Sequence, residues 1–203
     1  MKPTTLALTV LVLVISACSS APPVPEDRYY RLPDEGATSQ TRLLRQGAIF
    51  VERFTADGIY QDRAIAYSDR STPTVVLQHH YSFWLDSPSK MLQLRLEDYL
   101  RHADAAPLVT DVPWASAGLS VYGRILRLDR VLGPGSTEVR VALEFNVRQA
   151  GKDVPLLVKE YKAGATAADQ SVQSSVAAFG TALSEIFSRL IRDIRGRLDE
   201  ASG

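Results

Sequence analysis

Cysteine is almost absent from this chain, since Cys18 is the only cysteine among 203 residues. A lone cysteine excludes an internal disulfide and any metal site that needs several thiolates. A free thiol in an exported protein is reactive, so the position of Cys18 calls for an explanation.

The chain also lacks an excess of charge of either sign. It carries 23 Lys and Arg residues and 23 Asp and Glu residues, so its formal net charge is zero. Nucleic-acid-binding proteins usually present a clearly basic face, and anionic lipid surfaces attract clusters of Lys and Arg. The bulk charge therefore predicts no nucleic-acid partner and gives no electrostatic reason for membrane binding.

Sequence motifs of catalysis and cofactor binding are missing too. The chain contains no G-x-S-x-G elbow, Walker loop, H-E-x-x-H or G-x-G-x-x-G. His79 and His80 would point to opposite faces of a strand, which disfavours one shared metal. Glu97 and Asp98 diverge on a helix and suit acid/base work poorly, while residues 133–136 are more typical of a hairpin turn than of a phosphate cradle. The sequence thus predicts no enzyme activity, no cofactor and no metal.

An apolar run near the N-terminus is too short to span a membrane. It follows Lys2 and occupies ten residues, 6–15, which make about 15 Å of helix against a hydrocarbon core of about 30 Å. Ile15-Ser16-Ala17-Cys18 follows and resembles the bacterial lipobox, in which the cysteine is acylated and becomes the first mature residue. The pattern predicts a signal peptide over residues 1–17 and lipid attachment, with acyl chains such as palmitate, at Cys18. The alternative is an ordinary secretory signal followed by a chance cysteine.

The residues after Cys18 are typical of a tether. Three prolines lie between Ser19 and Asp27, and they favour an extended polyproline II conformation. At about 3.1 Å per residue, this segment reaches roughly 28 Å.

Ser19 differs from the aspartate that resembles an inner-membrane retention signal, so we expect attachment to the periplasmic face of the outer membrane. Residues 18–27 are then the lipidated cysteine and tether, and residues 28–203 a single periplasmic domain.

The hydrophobic pattern predicts an α+β fold. Strands are expected at residues 29–32, 48–54, 64–68 and 74–79, the last two forming a hairpin. A helix begins at Ser87-Pro88 and ends before Pro107. A long strand over 119–132 changes parity near residues 123–127, which indicates a β-bulge, and strands at 139–148 and 156–161 follow. The predicted order is β-β-β-β-α-β-β-β-α, a mostly antiparallel sheet with two helices packed on one face.

The last helix, over residues 172–198, carries the longest apolar stripe of the chain. Packing on the sheet is the expected role of the stripe. A subunit interface is the alternative, and it leaves a homo-oligomer open.

Aromatic side chains are concentrated just before the first helix, at Tyr81, Phe83 and Trp84. They either plug the core at a strand-to-helix corner or form an exposed patch that binds a partner protein or a lipid tail. These three residues are the candidate partner-binding residues.

The order of these features resembles the ABC-type transport auxiliary lipoprotein family, which includes the lipoprotein of the paraquat-inducible Pqi system. The resemblance runs over residues 28–198. It rests on the lipobox, Tyr29-Tyr30-Arg31-Leu32, the segment 81–88 that leads from aromatics into a helix, the strand 121–129 and the final amphipathic helix. Residues 69–72 and 78–80 depart from the family pattern.

This resemblance implies a function in transport. Members accompany ABC transporters whose periplasmic subunits carry mammalian-cell-entry (MCE) domains and which move lipids or other hydrophobic molecules between membranes. The lipoprotein would be the outer-membrane end, docking the MCE subunit without catalysis. A lipoprotein activator of a cell-wall synthase is the alternative, although the short tether disfavours it, and a periplasmic hydrolase is disfavoured by the missing catalytic residues.

Overall fold

The computed structural model describes residues 25–33, 44, 47–113 and 117–201. The predicted signal peptide, Cys18 and most of the tether lie outside these residues. Within them, no helix combines the length and the apolar character needed to cross a membrane.

The described residues form nine strands and two α-helices. In chain order these are β1 (Arg28–Tyr30), β2 (Ala48–Val51), β3 (Thr55–Ala56), β4 (Ala64–Asp69), β5 (Thr72–Trp84), α1 (Pro88–His102), β6 (Leu108–Thr110), β7 (Ala117–Gly133), β8 (Ser136–Gln149), β9 (Leu157–Thr166) and α2 (Val172–Glu200). The predicted strand order is wrong by two strands, because β3 and β6 were not expected. Strands this short are fixed by the neighbours they pair with, since two or three residues carry no alternation of their own.

The sheet is mixed, and β7 is its central strand. One edge of β7 pairs antiparallel with β8, which pairs antiparallel with β9. The other edge pairs in parallel with β2, β3 and β4 in succession. The expectation of a mostly antiparallel sheet is therefore corrected, since five of the eight described pairings are parallel. Hairpin turns are visible in a sequence, whereas parallel pairings join distant segments and leave no local signal.

The bulge expected in β7 is present. The β7–β8 register shifts between Ile125 and Arg127. Before the shift, alternate residues such as Ile125 face the core, and after it Leu128 does so. Gly123 lies just ahead of the shift, where a Cβ atom would come within 2.4 Å of the Phe54 ring. The ring of Phe54 therefore fills the space that a larger residue at 123 would need.

Both helices contribute to one hydrophobic core together with inward-facing residues of the sheet. Tyr99 of α1 packs edge-to-face on Phe187 of α2, with ring centroids 5.5 Å apart. Phe187 in turn contacts Phe145 of β8, at 6.4 Å. These contacts place α1 and α2 on the same face of the sheet, as predicted. The helix boundaries also agree with the expected Ser87 N-cap and with an end before Pro107.

Candidate functional site

Trp84 lies in the core and is only 1% exposed. Its ring packs edge-to-face on Phe179 of α2, with centroids 5.4 Å apart. Its backbone N–H donates to the carbonyl of Arg63 at 2.7 Å. Of the two interpretations of this segment, core packing holds for Trp84 and an exposed patch does not, because the last residue of β5 points towards the helices.

Phe83 points the other way, as alternation along a strand requires. It is half-buried and stacks on Tyr29 of β1, with centroids 5.7 Å apart. The Arg63 guanidinium lies 5.3 Å from the centroid of the exposed Tyr29 ring and donates to the carbonyls of Trp84 and Leu85, at 3.1 and 2.7 Å. We call Tyr29, Arg63 and Phe83 the aromatic corner. It is a surface of aromatic and cationic groups on the face away from the helices.

Tyr81 belongs to an apolar stretch of β5 that is open to solvent. Its side chain is 45% exposed, and those of Val75 and Leu77 are each 48% exposed. Among the described strands, β4 pairs with one edge of β5, while β1 reaches the other edge only at Ser82–Trp84. Unpaired backbone groups beside apolar side chains can accept an added strand from another chain. We call residues 72–81 the β5 edge.

A buried arginine, Arg130, lies at the centre of a polar site that the sequence analysis did not predict. Arg130 of β7 is 2% exposed and donates to Ser175 Oγ, His79 Nε2 and the Gln170 carbonyl, at 2.9, 2.6 and 2.7 Å. Burial, followed by the Arg130 charge, lowers the pKa of His79 from 6.5 to about 4. The sequence signal that could have revealed this site is the change of alternation at the β7 bulge. After the bulge, the side chain of Arg130 faces the core.

The other polar groups considered in the sequence do not assemble into a catalytic site. His79 packs on Tyr67, with ring centroids 4.6 Å apart, while His80 is exposed. The Glu97 and Asp98 carboxylates both pair with Arg101, and desolvation raises the pKa of Glu97. Within the described ranges, no group of three or more His, Cys, Asp or Glu side chains could hold a metal ion.

The sequence matches a family model described as the ABC-type transport auxiliary lipoprotein component, over residues 30–192. The chain belongs to this family. By its description, this family supplies the auxiliary lipoprotein component of ABC-type transport systems. None of the curated proteins matches the chain.

Solved structures show that other proteins share the fold of this family member. Protein XCC0632 from Xanthomonas campestris superposes with a TM-score of 0.73 at 15% identity, covering 86% of this chain and 99% of that one. A second protein, described only as uncharacterised, gives a TM-score of 0.65 at 12% identity, covering 84% of this chain and 99% of the other. At these identities the likeness concerns the fold alone.

Proposed function

We propose that this protein is the outer-membrane-anchored lipoprotein of an ABC transport system with an MCE-domain periplasmic subunit. It acts by docking that subunit while lipids or other hydrophobic molecules cross the envelope. Family membership, from the match over residues 30–192, is the observation that carries the proposal. Lipid on Cys18 holds the chain at the membrane, and the segment up to residue 27 spaces the periplasmic domain from it.

The β5 edge and the aromatic corner are the docking surface in this proposal. Both lie at one end of the sheet, where β1 and β5 follow β4 in the strand order. The exposed side chains of Tyr29, Leu77 and Tyr81 supply apolar contact, and the open strand edge supplies backbone hydrogen bonds. Of the three residues predicted from sequence, Tyr81 and Phe83 remain in the surface. Trp84 supports it from the core.

Photo-crosslinking in cells tests the proposal. A benzophenone amino acid at Tyr81 should capture the MCE-domain subunit, identified by mass spectrometry of the adduct. Val158 is the matched control, because it is an exposed apolar residue on β9, at the opposite end of the sheet. Capture from Tyr81 and not from Val158 supports both the function and the surface.

Other outcomes separate the alternatives. Capture of the MCE subunit from Val158 alone would keep the function and refute the surface. Capture of a peptidoglycan synthase from Tyr81, without any transporter component, would refute the transport function and favour activation of cell-wall synthesis.

A further inference from the structure

Arg130 is a buried cation that no carboxylate neutralises within the described part of the chain. Its three hydrogen bonds go to neutral acceptors, on Ser175, His79 and Gln170. The neighbouring Asp129 points to the opposite face, where it accepts from Arg127 and Ser68. Taking a charge out of water without a counter-charge is costly, so buried charges are normally paired. The missing partner is therefore an anion that the described residues do not supply.

Arg130 faces an open cleft of about 810 Å³. The cleft lies between the β4–β5 turn, the β7–β8 turn and Gln170, which comes two residues before α2 begins. Its lining also includes His79, Arg130 and Thr137. Ser171 caps the 29-residue α2 by accepting from the Ser174 N–H at 3.0 Å. The N-terminal end of a helix carries positive partial charge, which favours an anion nearby.

Two hydrogen-bond donors in the cleft have no acceptor among the described residues. The Thr137 hydroxyl belongs to a side chain that is almost wholly buried, and its Oγ1 has no hydrogen-bond partner. His79 accepts from Arg130 through Nε2, and because arginine has no acceptor, the imidazole proton sits on Nδ1. Thr137 Oγ1–H and His79 Nδ1–H are thus both donors without an acceptor among the described residues.

Other charges around the cleft leave the Arg130 charge uncompensated. Arg70 is paired with Glu138 at 3.0 Å. The Asp69 carboxylate, which opposes an incoming anion, is held by the Ser71 N–H at 2.7 Å and by the Ser71 hydroxyl. Asp169 accepts from the Ser171 N–H at 2.8 Å and is not among the residues that line the cleft.

We propose that this cleft binds a phosphate group, as the free ion or as an ester, with Arg130 as its counter-charge and Thr137 Oγ1 and His79 Nδ1 as donors. A tetrahedral oxyanion accepts hydrogen bonds from several directions at once, which suits donors that come from β5 and β8. Phosphate binding in this cleft does not depend on which protein docks on the β5 edge.

Titration of the full-length lipidated protein in detergent micelles tests the site. Inorganic phosphate is added against sodium chloride of equal ionic strength, and the ¹⁵N shifts of the His79 ring and the Tm are followed. We expect a saturable shift and a rise in Tm with phosphate only. Thr137→Val keeps the shape of the side chain and removes one hydrogen bond to a charged group, so it should weaken phosphate binding about tenfold or more.

Two further variants make the result decisive. Thr166→Val, an equivalent change at an exposed position of β9, should bind phosphate as the wild type does. Arg130→Gln should abolish binding, and if that variant does not fold, Thr137→Val alone decides. The absence of a saturable response to any phosphate compound, or equal affinity in Thr137→Val and wild type, would overturn the proposal.

The source of the phosphate is distinguished by parallel titrations with sn-glycerol 3-phosphate and with phosphatidylglycerol in mixed micelles. Saturation by phosphatidylglycerol without a response to inorganic phosphate assigns the site to a lipid headgroup. Saturation by inorganic phosphate and by the glycerol ester to the same extent assigns it to soluble phosphate. In both cases Thr137→Val should weaken the binding, because Thr137 lines the proposed site.

Discussion

The Arg130 guanidinium donates to His79 Nε2 across 2.6 Å, joining β7 to β5 beneath the start of α2. The contact requires the neutral imidazole, because a protonated ring has no acceptor to offer. Burial and the Arg130 charge together hold the pKa of His79 at about 4, below its ordinary value of 6.5. The folded protein therefore resists protonation of a group that the unfolded chain protonates readily.

This contact makes stability depend on pH. A histidine with a lowered folded-state pKa leaves the unfolded state binding more protons between pH 6.5 and 4, so stability falls as the pH falls through that window. Because His79 is only half-buried, we expect a loss of about 1–2 kcal/mol after solvent screening. Urea unfolding at pH 7 and pH 4.5 measures it.

His79→Gln is the control for this pH effect. The amide oxygen of glutamine can still accept from Arg130, and the side chain does not titrate. The pH dependence of the free energy of unfolding should therefore become shallower in the variant. An unchanged slope would assign the titration to other groups.

Gly123→Ala should destabilise the fold by overpacking. The new methyl group would lie 2.4 Å from Phe54 Cζ, and insertion into a packed core costs about 1–3 kcal/mol. Gly196→Ala is the matched change, since a Cβ atom at this position of α2 meets nothing within 4 Å. It should stabilise the helix by about 0.5–1 kcal/mol. Urea denaturation of the two variants should give shifts of opposite sign.

Several elements of this fold could be read from the sequence because their signals are local. The stripe of α2 and the alternation of β8 each extend over many residues, and the parity switch in β7 located its bulge. The parallel pairings of β7 could not be read, since they depend on segments far apart in the chain. The burial of Trp84 and the contacts of Arg130 likewise depend on where α2 packs.

Trp84 and Tyr81 should respond to mutation in opposite ways. Trp84→Ala removes a fully buried ring from its contact with Phe179, which should cost about 3–5 kcal/mol of stability. Tyr81→Ala removes an exposed side chain and should change stability by about 0.5 kcal/mol or less. If the β5 edge is the docking surface, Tyr81→Ala should nevertheless reduce co-purification of the MCE subunit. Thermal unfolding measures the stability of each variant, and pull-down from the same preparations measures co-purification of the MCE subunit. If Tyr81→Ala loses both stability and co-purification, Tyr81 has a structural role.

Cys18 and the residue after it should determine how and where the chain is anchored. Intact-mass analysis of the mature protein should show Cys18 as the first residue with at least two acyl chains, because a single chain gives only marginal membrane binding. Cys18→Ser should lack the lipid mass, and a wild-type chain with a free thiol would refute the lipobox assignment.

Ser19→Asp keeps the lipid while introducing the residue that resembles an inner-membrane retention signal. Membrane fractionation should then move the protein from the outer to the inner membrane, with Ser20→Asp, one position further on, as the control that stays in place. If the wild type already fractionates with the inner membrane, the outer-membrane assignment is wrong while the docking surface on β5 is unaffected.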